Sequence, residues 1–178
     1  MLSYNVAGLL REAPGAVRRY EVSGETMSIA DDVRLAAPIQ GEVRLARTGR
    51  SIMARATLST ALEQLCSRCL VTVAAPVDVT VEEEALPSID LDSGKPVDAS
   101  TEPDALRLDE HHELDLSESI REAISLAEPI APLCRSDCRG LCVVCGSDLN
   151  AHPDHAHDDD PVDPRLALLA EWRASGQH

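Results

Sequence analysis

Cysteine and histidine are the residues through which this chain could do chemistry, six of each in 178 residues. Cys66-Ser67-Arg68-Cys69 is one CxxC pair, and Cys142-Val143-Val144-Cys145 is a second, followed by Gly146. Cys134 and Cys138 stand just ahead of the second pair, and His155-Ala156-His157 lies beyond it. Two thiolates two residues apart let one tight turn supply half of a tetrahedral shell, which is the pattern of structural zinc. Gly146 suits such a turn because glycine takes positive φ without strain. Four pairs can be coupled in three ways. The preferred coupling joins Cys66, Cys69, Cys134 and Cys138 in one site and Cys142, Cys145, His155 and His157 in another. The first would staple distant parts of the chain; the second would close a short loop at low entropy. A rival is one compact site of Cys134, Cys138, Cys142 and Cys145. His152 is a spare donor, and His111 and His112 fall in an acidic stretch where solvation is expected.

Any of these shells is closed, so the metal, zinc at one or two per chain, would be structural and its binding energy would be folding energy. A thiol redox protein is an alternative, but Cys66 and Cys69 interrupt β-patterned sequence instead of opening a helix after a strand. A zinc-dependent RNA-processing enzyme is the other alternative, and it needs an open metal position. The chain has neither HExxH nor GxSxG, and no carboxylate pair stands out by spacing. A non-enzymatic role is therefore expected, with no small-molecule substrate.

The elements that must position these ligands are read from periodicity. A short helix is expected from Asn5 to Glu12, ended by Pro14-Gly15, and a strand over residues 16–23. A hairpin follows from residue 39, turning at Thr48-Gly49-Arg50, with Ile52, Ala54, Ala56, Leu58 and Leu62 on one parity. Val71, Val73, Ala75, Val77, Val79 and Val81 then share the face of a half-buried antiparallel strand, with Pro76 marking an edge or a bulge. Residues 86–112 read as an acidic excursion or linker. A helix is expected from Leu116 to Glu128, capped by Asp115 or Ser117 and striped by Ile120, Ala123, Ile124 and Ala127. A last helix would start at Asp163-Pro164 and bury Leu166, Leu169 and Trp172. The fold expected is α+β: an antiparallel β-sheet with a few helices and a zinc-stapled C-terminal segment. Its parts are a β-rich stretch 1–85, the linker 86–112, and residues 113–178, the last forming one domain with the first.

Charge divides the chain. Residues 1–75 hold nine Arg against seven acids, a net of +2; residues 76–178 hold seven bases against 24 acids, a net of −17. Aromatics are 2% of the chain, which excludes base-stacking platforms. Contact with RNA would fall to Arg44, Arg47, Arg50 and Arg55, near the hairpin turn, where Glu42 is the one acid between Val33 and Leu62. An ordinary charged hairpin edge explains the same residues. Arg68 and Arg139 could screen an all-thiolate centre. The acidic half suits a solubilising face or a basic partner. No secretory signal and no apolar run long enough for a bilayer is visible, so a cytoplasmic protein without a membrane partner is expected.

The stretch PLCRSDCRGLCVVCGSDLN, residues 132–150, with Cys66-Ser67-Arg68-Cys69-Leu70 upstream and Asp163-Pro164-Arg165 downstream, resembles the YceD family. These are the large ribosomal RNA subunit accumulation proteins of bacteria and plastids. The resemblance spans roughly residues 15–172. It implies a part in processing or accumulation of large-subunit (23S) ribosomal RNA, hence in ribosome assembly. It implies as partners that RNA or its precursor, ribosomal proteins or assembly factors, and no catalytic activity. Family members often carry Cys-x-Cys where this chain has His155-Ala156-His157; imidazole can replace thiolate on zinc.

Overall fold

In the computed structural model, residues 2–90, 93–97 and 105–157 are described. They belong to two compact units, Met1–Cys138 and Arg139–His178. The expected helix at Asp163 lies outside the described residues.

The first unit is built on a five-stranded sheet. Alternation of apolar and polar residues runs through β2 (Val17–Glu25), β3 (Arg34–Thr48), β4 (Ser51–Leu65) and β5 (Thr72–Leu86), the last three being 15 residues long. They pair antiparallel in chain order, as a sheet with one face in a core requires. The turn between β3 and β4 is the one the sequence marks, with Gly49 at φ +63°. Val22, Ile39, Val43, Leu45, Ile52, Ala54, Ala56, Leu58, Leu62, Val77, Val79 and Val81 are buried on one face. Gly41 has φ +147°, and a Cβ there would meet the Thr57 carbonyl oxygen at 2.1 Å, so β3 and β4 can pair here only through a glycine. Pro76 lies opposite Ala61, where among the described residues β5 pairs with β4 alone, an edge position of the kind that tolerates proline.

The α+β fold with a mostly antiparallel sheet is the one expected; one short addition to it is parallel, where the excursion after β5 returns as β6 (Leu106–Arg107) beside Ala85 and Leu86. The first helix is shorter than expected, α1 (Ala7–Arg11), because residues before it are drawn into β1 (Ser3–Asn5), which pairs with β7 (Glu113–Asp115).

The second helix, α2 (Ser117–Leu126), follows β7 at once. The Ser117 backbone N–H donates to Asp115 Oδ1 at 2.9 Å, closing the first turn from outside the helix. Ile120 and Ile124 are buried with Leu108, Leu114 and Leu116 in the same core as the sheet face and Leu9 of α1. Ala127, expected on the apolar stripe, is exposed beyond the helix end. Among the described residues no helix is long and apolar enough to cross a membrane.

Candidate metal centre

Cys66 to Val71 form the connection of the β4–β5 hairpin, between the paired residues Leu65 and Thr72. The Cys66 N–H donates to the Val71 carbonyl at 2.8 Å and the Leu70 N–H to the Cys66 carbonyl at 2.9 Å. This tight knuckle points both thiols to one side. Its geometry forces Leu70 to φ +61°, a conformation a branched side chain pays for in strain. The chain after α2 is tied back against it: the Ser67 N–H donates to the Pro132 carbonyl at 2.8 Å, and Arg68 Nη1 to the Cys138 carbonyl at 2.7 Å.

These ties bring four sulfurs together. Those of Cys66, Cys69, Cys134 and Cys138 all lie within 4.8 Å of one another. The Cys66–Cys138 and Cys69–Cys134 separations are 3.8 and 3.6 Å. A tetrahedral cation with metal–sulfur bonds of about 2.3 Å sets its sulfurs about 3.8 Å apart, so the spacing fits. Cys66, Cys69 and Cys138 are buried and Cys134 is exposed.

The electrostatics of this group favour a cation. Backbone hydrogen bonds at Cys69 and Arg68 pull the Cys66 thiol down to about 6. Desolvation, and then its neighbours Cys69 and Cys138, push the Cys134 thiol up to about 12. Cys66 thus gives up its proton readily, while burial holds the Cys69 and Cys134 thiols above the ordinary range. A dication at the centre would favour the thiolate form of its sulfur ligands.

The second group is local to its unit. The Gly146 N–H donates to the Cys142 carbonyl, and the Cys142 N–H to the Ser147 carbonyl, both at 2.8 Å. This repeats the first knuckle, with Gly146 at φ +75° in the place of Leu70. Cys142 Sγ lies 3.2 Å from His157 Nε2, Cys145 Sγ 3.2 Å from His155 Nε2, and the two Nε2 atoms 3.0 Å apart. A zinc shell would set sulfur and nitrogen about 3.6 Å apart and the nitrogens about 3.4 Å apart, so small outward shifts complete it. Hydrogen bonds to Ser147, first from its side chain, pull the Cys145 thiol down to about 6.

Scaffolding around this group was missed from sequence. The Asn150 N–H donates to Asp148 Oδ1 at 2.8 Å, and the Arg139 N–H to Asn150 Oδ1 at 2.8 Å. Arg139 Nη1 donates to the Pro153 carbonyl at 2.7 Å. Only the Asx-turn habit of Asp and Asn could have signalled this. Arg139 and Arg68 thus hold loops through carbonyl oxygens.

Other candidates are placed apart from these groups. His152 lies outside both. His111 is exposed, but His112 is half-buried at φ +60°, with a buried Nδ1 that has no partner among the described residues, so the expectation that both are solvated holds for His111 alone. The four arginines do not share a face. Arg47, opposite buried Ile52, turns inward and donates to the Gly49 and Glu12 carbonyls. Arg44 and Arg55 face each other on the exposed side, and Arg19 extends that row. Arg55 pairs with Glu82 at 3.1 Å. Arg50 is exposed at the turn.

Residues 54–172 match the model of a family described as large ribosomal RNA subunit accumulation protein YceD. The chain belongs to the YceD family. The YceD match takes in all eight ligand candidates, β5 and β4 from residue 54 onward. An uncharacterized protein of Mycobacterium leprae is 34% identical over 138 residues, 78% of this chain and 60% of that protein. Uncharacterized proteins of Mycobacterium bovis and Mycobacterium tuberculosis are 34% identical over 131 residues, 73% of this chain and 59% of theirs. The chain thus spans about three-fifths of the length of these relatives. No solved structure matches it.

Proposed function

We propose that this protein is a non-catalytic factor in the accumulation of large-subunit ribosomal RNA, with two structural zinc ions per chain. The observation that carries the role is the YceD match over residues 54–172. The observation that supports zinc is the donor set: four thiolates in one group, two thiolates and two imidazoles in the other. Both sets suit a borderline-soft, tetrahedral cation better than calcium or magnesium, which take oxygen. Each shell has four protein ligands, which leaves no position for a water nucleophile. The ions therefore serve shape: one holds the β4–β5 hairpin to the chain after α2, the other closes the knuckle at Cys142.

Direct RNA contact is a further part of this reading. Arg44 lies opposite both Arg19 and Arg55, and among the described residues it has no hydrogen bond or ion pair of its own. Arg19 and Arg55 are paired with Glu42 at 3.9 Å and Glu82 at 3.1 Å, so Arg44 is the guanidinium of this row best placed to take a phosphate. Arg50 can extend the contact toward the turn. Arg47 is occupied with carbonyl oxygens, so its role is to hold the turn.

Depleting the protein in its own host tests the role. The ratio of large-subunit to small-subunit ribosomal RNA should fall, with large-subunit precursor rising, and wild-type protein should restore both. An unchanged ratio would refute the reading. Metal analysis of the purified chain should give two zinc ions; a water-activating zinc with cleavage of precursor RNA would replace this reading by the enzymatic one.

A further inference from the structure

Within the first unit a cavity of about 640 Å³ opens between the end of β4 and the chain that follows α2. Glu63, Gln64 and Leu65 form one wall, and Ser125, Glu128 and Ile130 belong to the other. Asp32 closes a side. Among the described residues three carboxylates thus line it, and no Lys or Arg does. Arg34 lies opposite Glu63 in the strand register but outside the lining. Two large apolar side chains stand open on the same walls: Leu65 is 57% exposed and Ile130 fully exposed. Gln64 Nε2 donates to Glu128 Oε1 at 2.5 Å, which ties the two walls together.

We infer that this groove docks a lysine- or arginine-rich segment of another polypeptide. Long basic side chains match each feature of it. Their aliphatic stems cover Leu65 and Ile130, while their charged heads reach Asp32, Glu63 and Glu128. The volume falls in the range of pockets that take a ligand of a few residues. Nucleic acid is repelled by the same three carboxylates. In an assembly factor, the matching partner is a basic protein before it meets RNA.

The four-cysteine group bears on this groove. Ser67 and Pro132 line it too, and the hydrogen bond between them ties its two walls beside the sulfurs. The inference rests on the metal reading for the rigidity of the walls, and on the carboxylates for selectivity, so the two can fail separately.

The test uses the full zinc-loaded chain and a fluorescent Lys/Arg-rich peptide, with anisotropy as the readout. A groove triple variant, D32N with E63Q and E128Q, should weaken binding about tenfold. A control triple on exposed carboxylates elsewhere, E21Q with D78N and E122Q, should change it less than about twofold. Ile130→Ser should weaken it about threefold with charge unchanged. Zinc content is measured in every variant. Equal losses in both triples would overturn the inference, as would a fluorescent single-stranded oligonucleotide, tested without peptide, that binds the chain and is lost in the groove triple. A dimer of the free chain that the groove triple dissolves would also overturn it, in favour of a second copy as occupant. Absent peptide binding with two zinc ions present would refute the groove alone. Absent zinc with peptide binding intact would refute the metal reading alone.

Discussion

The knuckles at Cys66 and Cys142 close with the same two backbone hydrogen bonds, but they are embedded differently. At Cys66 the sulfur partners come from 65 and 72 residues further along the chain, and three of the four thiols are buried. At Cys142 the most distant partner is 15 residues away, and Cys145 and His157 are exposed. Closing the longer loop costs about 1.4 kcal/mol more in chain entropy. The first group therefore ties together elements that the sheet alone does not join. The second organises only its own loop. One turn geometry thus gives a clasp in one context and a local fold in the other.

The largest effect is expected at the clasp. Cys138→Ser should lower zinc from two to one and destabilise the first unit by about 5 kcal/mol, a substantial part of what a structural zinc contributes. Thermal unfolding and metal analysis read this, and amide exchange should rise first at the end of the β4–β5 hairpin. His155→Ala should also remove one zinc, but melt only the loop from Gly140 to His157. The transition of the sheet should then move by less than about 0.5 kcal/mol, since the ligands of this group all come from its own loop. A chelator should take the exposed second ion before the buried first. Equal loss of sheet stability in the two variants would break the comparison.

Gly41→Ala sharpens it from the other side. The added methyl would meet the Thr57 carbonyl oxygen, which is backbone and cannot swing away. A loss of about 3 kcal/mol is expected in the first unit. Zinc affinity of the four-cysteine group should weaken with it, because β4 carries the knuckle. The Cys142 group should hold its zinc as before. Competition with a chromophoric chelator would separate the two ions.

Local pattern in the sequence reaches some of this and not the rest. Val77, Val79 and Val81 alternate cleanly, and Gly49 marks its turn, so the long hairpins are legible from a period of two. The pairing of Ser3–Asn5 with Glu113–Asp115 is not, since three residues show no period and their partner is some 110 positions away. The same holds for Leu106 and Arg107, two residues that join the sheet in parallel. Arg47 shows how parity decides a role: two strand positions away from buried Leu45, it must turn inward. At the metal groups, spacing identifies which thiols share a turn. Which turns face each other is set by tertiary ties such as Ser67 to Pro132, and nothing local encodes those. The positive φ of Leu70 was also invisible from residue type, although the second CxxC, followed by glycine, hints at it.

The smallest effect concerns that residue. Leu70 and Gly146 occupy equivalent places, at φ +61° and +75°. Leucine in this region costs about 1–2 kcal/mol, and Leu70 is 58% exposed, so little packing is lost on removing its side chain. Glycine there relieves the strain but frees the unfolded chain, which offsets about 0.5–1 kcal/mol. Leu70→Gly should therefore stabilise the first unit by roughly 0.5–1 kcal/mol and leave zinc stoichiometry at two. Gly146→Ala should do the opposite in the second unit. A Cβ at Gly146 meets nothing within 4 Å, so any penalty is backbone strain and not a clash. Opposite signs in the two variants, read as shifts in chelator competition, would show that the knuckles are one structure in two settings. A destabilising Leu70→Gly would instead mean that the Leu70 side chain is held by a contact in the working protein, and the equivalence would end at the backbone.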